Sequence, residues 1–361
     1  MRINLIGQRN SSGVGNHFGA FATALASLDH VGGNVHELDF QDPESIVTTA
    51  RASTDQDVTI SFVGMNIHDL FQGLRIQWVV FESTRIPIDV LHSADSADVV
   101  WVPSEWGRDV LIANGIDADK IDVVREGVDH NLFHPYGRVP EERPFRFLMV
   151  GKYEIRKSYP EIFSAFAAEF GNDPAVELVM KSDYFRDGNI KAQQMIEDLK
   201  SHAFENWRLN WGYVDIRNIA QMYRTADVFL SAPRGEAWGL PIIEAAASGL
   251  PVISTMYSGH AEFLKPIQNS VVSVDYDMGA VDCDEYKGYY PFPDHDWGEW
   301  AIPKIESLRD TMRFAYENHQ ALSANALKNS AVIRREFSWS ASADLAVASL
   351  QSRGINFSKL T

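Results

Sequence analysis

The chain has 361 residues, 45% of them hydrophobic, with 20 Phe and 9 Trp; that is too long for one ordinary core, so two domains are expected. A formal net charge of −17 argues against long nucleic-acid tracts and anionic membrane surfaces as dominant partners. The single cysteine, Cys283, excludes an intrachain disulfide and a cysteine metal cluster, which fits a reducing cytosol, and the lack of any run of about 18 apolar residues excludes a transmembrane helix.

The first half alternates apolar runs with amphipathic stretches. Strands are expected at residues 3–6, 58–62, 77–81, 99–102 and 121–124, and helices at 15–28, 86–92 and 106–114. This rhythm implies a parallel sheet covered by helices. The apolar part of the N-terminal segment is too short for a signal peptide and reads as the first strand. It leads into Asn10-Ser11-Ser12-Gly13-Val14-Gly15-Asn16-His17, where Gly13 and Gly15 would let backbone approach a phosphate or sugar. A plain tight turn is the alternative. The glycine spacing fits a dinucleotide fingerprint poorly, although Glu37 or Asp39 falls about twenty residues on.

Glu82 follows the run at 77–81 and is a candidate to face a ligand; the alternative is an ion pair with Arg85. Ser104 is an expected helix N-cap, Gly127 would permit a tight turn, and Asp129 could cap it. The polar, proline-bearing stretch Tyr136-Gly137-Arg138-Val139-Pro140-Glu141-Glu142-Arg143-Pro144 reads as a linker, so the chain divides near residue 140. Residues 1–140 hold nine Lys/Arg against nineteen Asp/Glu, which leaves no basic patch evident for docking on lipid.

The second half restarts the pattern with a strand at 145–150. The turn Gly151-Lys152-Tyr153-Glu154-Ile155-Arg156-Lys157-Ser158 follows it directly. Two cations there suit a diphosphate, and a solvated basic turn is the alternative. A helix at 162–170, a strand at 177–180, a helix at 192–202 and a strand ending at Trp211-Gly212-Tyr213-Val214 come next.

Val228-Phe229-Leu230 then reads as a buried strand, a helix starts near Leu240 with Pro241 in its first turn, and Gly249 and Pro251 stop it before the strand Val252-Ile253-Ser254. Glu236 therefore lies in a loop after a strand, and Glu244 near the first turn of the next helix. A helix N-terminus suits a phosphate, and two carboxylates beside it can accept hydrogen bonds from sugar hydroxyls. That combination suits a nucleotide-sugar, although Glu244 can also be read as a helix-dipole partner.

Ser258-Gly259-His260-Ala261-Glu262 is a further possible ligand-facing helix start, with His260 expected on the solvent side or as a cap. Asp282-Cys283-Asp284 imitates a D-x-D metal motif in a charged loop and is read as surface. The aromatic segment 276–300, with Tyr286, Tyr289, Tyr290, Phe292 and Trp297, could stack on a sugar but is better explained by packing. The eleven histidines show no zinc spacing, and neither a P-loop nor a G-x-S-x-G elbow is present.

The string Gly235-Glu236-Ala237-Trp238-Gly239-Leu240-Pro241-Ile242-Ile243-Glu244-Ala245 resembles the E-x7-E signature of family 4 retaining glycosyltransferases. The turn at 151–158 is similar to that family's Gly-Arg-x-x-x-x-Lys-Gly, with Lys152 at the arginine position and Ser158 replacing the final glycine. Arg125 and Glu126 depart from the family's Pro-Asn-Gly-Val-Asp. The resemblance implies an α/β GT-B fold, with two Rossmann-like doubly wound domains facing a cleft: 1–140 on the acceptor side, 141–335 on the donor side, and 336–361 as a terminal helix returning to the first.

It further implies metal-independent transfer of a sugar from a nucleoside-diphosphate donor to a hydroxyl acceptor, with no other cofactor required and retention at the anomeric carbon. Lys152 and Lys157 would hold the diphosphate. Glu236, with the Ala237-Trp238-Gly239-Leu240 backbone, would hold the donor sugar, and Glu244 the ribose. Glu82 would serve the acceptor, and Gly13 and Gly15 would approach donor phosphates or acceptor. The competing readings are a sugar-nucleotide epimerase on the same fold, an NAD-dependent oxidoreductase resting on the glycine loop, and a sugar-binding module without catalysis.

Overall fold

The computed structural model describes residues 1–137, 142–184, 188–281 and 295–357. They form two compact units, Met1–Gly127 with His295–Trp297 and Glu336–Thr361, and Val128–Asp294 with Gly298–Arg335. Among the described residues no helix is long and apolar enough to cross a membrane.

The first unit is built on a six-stranded parallel sheet of β1 (Ile3–Gly7), β2 (Val35–Asp39), β3 (Val58–Ser61), β4 (Leu74–Trp78), β5 (Val99–Val102) and β6 (Ile121–Val123), in the order β2-β1-β3-β4-β5-β6. Central strands β1, β3 and β5 are buried along their whole length, as a sheet covered on both faces requires. Helices α1 (Gly13–Ala26), α2 (Pro43–Arg51), α3 (Ile88–Ser96) and α4 (Glu105–Ala113) cover it. In α1, Ser12 caps the helix by accepting from the Gly15 amide at 3.0 Å, and Phe18, Phe21, Ala22 and Leu25 recur at helical spacing to enter the core. Ser104 caps α4 in the same way, accepting from Gly107 at 3.1 Å.

The second unit is built on β7 (Phe145–Val150), β8 (Val176–Ser182), β9 (Trp207–Trp211), β10 (Val228–Leu230), β11 (Val252–Thr255) and β12 (Val271–Val274), all parallel, in the order β12-β11-β10-β7-β8-β9. Its helices are α5 (Tyr159–Phe170), α6 (Gly188–Ser201), α7 (Ile216–Arg224), α8 (Leu240–Ala247) and the short α9 (Ala261–Leu264). An antiparallel hairpin, β13 (Tyr276–Ala280) with β14 (Glu299–Pro303), precedes α10 (Ile305–Glu317) and α11 (His319–Glu336). The chain ends in α12 (Trp339–Ser352), whose Ala343, Ala346, Val347 and Leu350 join the first unit's core against α1.

Three features differ from the sequence reading. The strand expected at 77–81 lies at Leu74–Trp78. Its last link to β5 is the Val79 amide donating to the Trp101 carbonyl at 2.8 Å, and the next donor on β5 would be Pro103, which has no N–H. The edge strands β2 and β12, helices α2, α7, α10 and α11, and the β13–β14 hairpin were not anticipated. Gly127 has no positive φ; a Cβ there would lie 2.4 Å from the Trp339 backbone nitrogen, so the glycine serves a close approach to the start of α12 and not a turn. Residues 138–141 of the expected linker, Asp282-Cys283-Asp284, and Tyr286, Tyr289, Tyr290 and Phe292 lie outside the described residues. Trp297 and Trp300 are buried.

Candidate functional site

In the second sheet the strand order reverses between β7 and β10. From β7 the chain winds one way to β8 and β9, and from β10 the other way to β11 and β12. No crossover helix covers the crevice at the carboxyl ends of such a pair, which is where open α/β sheets take ligands. The two loops that leave these strands are the basic turn at 151–158 and the segment at 231–239.

Their side chains meet on one carboxylate. Lys157 Nζ forms an ion pair with Glu236 Oε1, and Arg156 Nη1 lies 3.1 Å from the same oxygen. Arg156 also donates to the Gly235 carbonyl at 2.8 Å and to Glu154 Oε2 at 3.2 Å. Lys152 Nζ stands 4.0 Å from Glu154 Oε1. The Arg156 and Lys157 side chains are only 12% and 14% exposed, so neither is a solvated surface cation. Burial pushes the Glu236 carboxyl up, but Lys157 and Arg156 more than offset it and hold the pKa at about 2. Glu236 is therefore ionised throughout the physiological range.

The backbone under Glu236 is clamped by the β11–α9 loop. The Glu236 amide donates to Ser258 Oγ at 2.9 Å, and its carbonyl accepts from the Gly259 amide at 2.9 Å. A Cβ on Gly259 would fall 1.8 Å from the Ala237 carbonyl oxygen, so only glycine allows this contact. Gly239 has φ +96 and is the N-cap of α8, so the first amides of that helix have no side-chain cap. Leu240 is the first residue of α8, while Ala237 and Trp238 are buried behind it, Trp238 against Phe263 with ring centroids 5.1 Å apart.

His260 is fully buried, not solvent-facing, and makes no side-chain cap bond. Burial lowers its pKa to about 4. The neutral ring donates from Nε2 to the Thr255 carbonyl at 2.6 Å, since a carbonyl can only accept.

Ser158 occupies a left-handed conformation with φ 57, where the resembling motif has glycine, and its buried Oγ has no hydrogen-bond partner among the described residues. Glu244 lies in the second turn of α8 with partial exposure. Its Oε2 accepts from the Tyr223 hydroxyl at 2.9 Å. Burial raises its pKa to about 8, against the opposing effect of that hydrogen bond.

Gly13, Gly15 and Glu82 belong to the first unit. Gly15 has a local reason to be glycine, because a Cβ would lie 2.1 Å from Asn10 Oδ1; Gly13 faces open space. Glu82 is partly buried in the segment after β4. Glu37, the carboxylate a dinucleotide ribose would need, is engaged by both Nε and Nη2 of Arg9 at 2.7 and 2.6 Å.

Sequence reasoning placed Lys157 and Glu236 in separate motifs without pairing them. It missed the roles of Ser258, Gly259 and Tyr223. The Ser-Gly pair in the loop after β11 was the available signal for the first two; Tyr223 carried only helical spacing.

Residues 137–281 match the family model of glycosyl transferases group 1. The fold is GT-B. The chain superposes on the crystal structure of Anabaena HepE in complex with UDP and glucose with TM-score 0.71 and 13% identity, covering 98% of this chain and 100% of that one. For sucrose-phosphate synthase of Thermosynechococcus elongatus the TM-score is 0.68 and the identity 15%, over 98% of both chains.

In sequence, the chain is 26% identical over 200 residues to mannosylfructose-phosphate synthase of Agrobacterium fabrum, covering 50% of this chain and 44% of that protein. It is 26% identical over 269 residues to a D-inositol 3-phosphate glycosyltransferase of Corynebacterium kroppenstedtii, covering 69% of this chain and 52% of that protein. The chain thus spans about half the length of these two relatives. The group 1 match includes the basic turn, β10, Glu236 and Glu244.

Proposed function

We propose that this chain is a retaining, family 4-like glycosyltransferase that moves a sugar from a nucleoside-diphosphate donor to a hydroxyl acceptor without a metal. One observation carries the reading: the Lys157–Glu236–Arg156 cluster at the switch point between β7 and β10. A diphosphate is dianionic or more, and Lys157, with Lys152 nearby, supplies the charge that stabilises it as it leaves. The uncapped α8 N-terminus adds partial positive charge on the same side.

Glu236, kept ionised, accepts hydrogen bonds from donor-sugar hydroxyls and re-pairs with the cations when the diphosphate departs. Glu244 takes the ribose. Retention follows a front-face path in which the departing phosphate helps deprotonate the acceptor, so the protein's contribution is positioning and charge stabilisation. In this reading Glu82, Gly13 and Gly15 serve the acceptor side, residues 1–140 form the acceptor domain and 141–335 the donor domain, and the enzyme works in the cytosol. The UDP complex of HepE supports UDP as the first nucleotide to test. The engagement of Glu37 by Arg9 disfavours the dinucleotide alternative.

The test is calorimetry with UDP, GDP and ADP on native protein and Lys157→Ala. Native protein is expected to bind one of them selectively, and Lys157→Ala to bind it about ten-fold or more weakly. Equal affinity in the variant would sink the assignment of Lys157, and loss of sugar transfer on adding EDTA would sink the metal-free mechanism.

A further inference from the structure

Tyr223 on α7 is fully buried, and its ring is held edge-on by Phe133 and tilted against Phe229, each with centroids 5.7 Å away. That packing fixes where the hydroxyl stands: 2.9 Å from Glu244 Oε2 and 3.1 Å from the Pro241 carbonyl. A phenol has one proton, and both neighbours are acceptors when Glu244 is ionised. The one proton is shared between the two, which links the Glu244 carboxylate to the Pro241 carbonyl in the first turn of α8. A glutamate has three rotatable side-chain bonds and would otherwise sample several positions, while this one is held through one oxygen and keeps partial exposure.

We infer that Tyr223 is a positioning residue that locks the Glu244 carboxylate for the vicinal ribose hydroxyls of a nucleoside diphosphate, and so sets how strongly the site prefers a ribose to a ribose lacking those hydroxyls. The inference rests on the proposed function. Two hydroxyls reaching one carboxylate need both oxygens in a defined plane, and a carboxylate free to rotate loses that bidentate geometry. Burial favours the protonated carboxyl in the empty site, but ribose hydroxyls donating to it favour the ionised form, and an ionised Oε2 can accept from both Tyr223 and a ribose hydroxyl.

The experiment compares UDP with 2′,3′-dideoxy-UDP by calorimetry on native protein, Tyr223→Phe and Glu244→Ala. Native protein is expected to prefer UDP by about ten-fold or more. Tyr223→Phe keeps the ring, so its affinity for the dideoxy compound should be unchanged while the preference falls about three-fold or more, and Glu244→Ala should bring the ratio near one. A Tyr223→Phe protein that keeps the full preference, or one that loses affinity for both nucleotides equally, would overturn this inference alone. Native protein that binds UDP without preferring the ribose would overturn the role of Glu244. Native protein that binds none of UDP, GDP and ADP would overturn the proposed function, and this inference with it.

Discussion

Glu236 and Glu244, eight residues apart, are displaced in opposite directions, and the cause is what each touches. Glu236 has two cations on it and a folded pKa of about 2, against 4.5 unperturbed. Its contribution to stability is therefore fully present above about pH 4.5 and is lost as pH falls towards 2. In urea denaturation, the stability gap between native protein and Glu236→Gln should be largest near neutral pH, on the order of 2–3 kcal/mol, and should shrink progressively below pH 4.5. A gap independent of pH would show that the cations do not hold the carboxylate. Glu244 has the reverse sign: its folded pKa of about 8 favours the protonated form, so its contribution declines as pH rises from 4.5 through 8. Ser158 carries local backbone strain, with φ 57 and a buried hydroxyl that no partner among the described residues satisfies. Ser158→Gly removes both costs and should raise stability by about 1 kcal/mol, read as a higher melting temperature. A lower one would mean that the hydroxyl is satisfied after all.

At the scale of elements, the site depends on two loops held at backbone-to-backbone distance. The β10–α8 loop lies on the β11–α9 loop, and Gly259 makes the contact possible. Gly259→Ala would push a methyl into the Ala237 carbonyl, move Glu236 off Lys157 and Arg156, and lower nucleoside-diphosphate affinity about ten-fold or more in calorimetry. Unchanged binding would mean the loop is not a support. The β10–α8–β11 stretch was legible because each piece carries a local signal. A three-residue apolar strand, a proline in the first helical turn and a glycine after the last one gave bounds that match Val228–Leu230 and Leu240–Ala247. Strand β2 had no such signal. It is an edge strand with one buried residue, Leu38, so the alternation that marks a strand is missing. Helix α2 was missed although Asp42 caps it and Pro43 opens its first turn, because it buries only Ile46 and Ala50 and so shows a short apolar face.

Across the whole molecule, the chain leaves the first unit at Gly127 and returns to it at Glu336. The return includes a tight point, where Gly127 meets the backbone of Ser338 and Trp339 and Ser342 Oγ donates to the Arg125 carbonyl. Gly127→Ala would displace the start of α12 and cost about 3 kcal/mol, seen as a lower denaturation midpoint with less of the α12 backbone protected in hydrogen exchange. Native-like protection would refute that role.

The sequence by itself determined what depends on neighbours a few residues apart: the alternation of parallel strands and helices, the cap at Ser104, and the placing of Glu236 in a loop and Glu244 on a helix. Only the tertiary structure decided which side chains share a charge. Lys157 and Glu236 are 79 residues apart, and Tyr223 and Glu244 are 21 apart on different helices. Strand order brings each pair together, and no local periodicity encodes strand order.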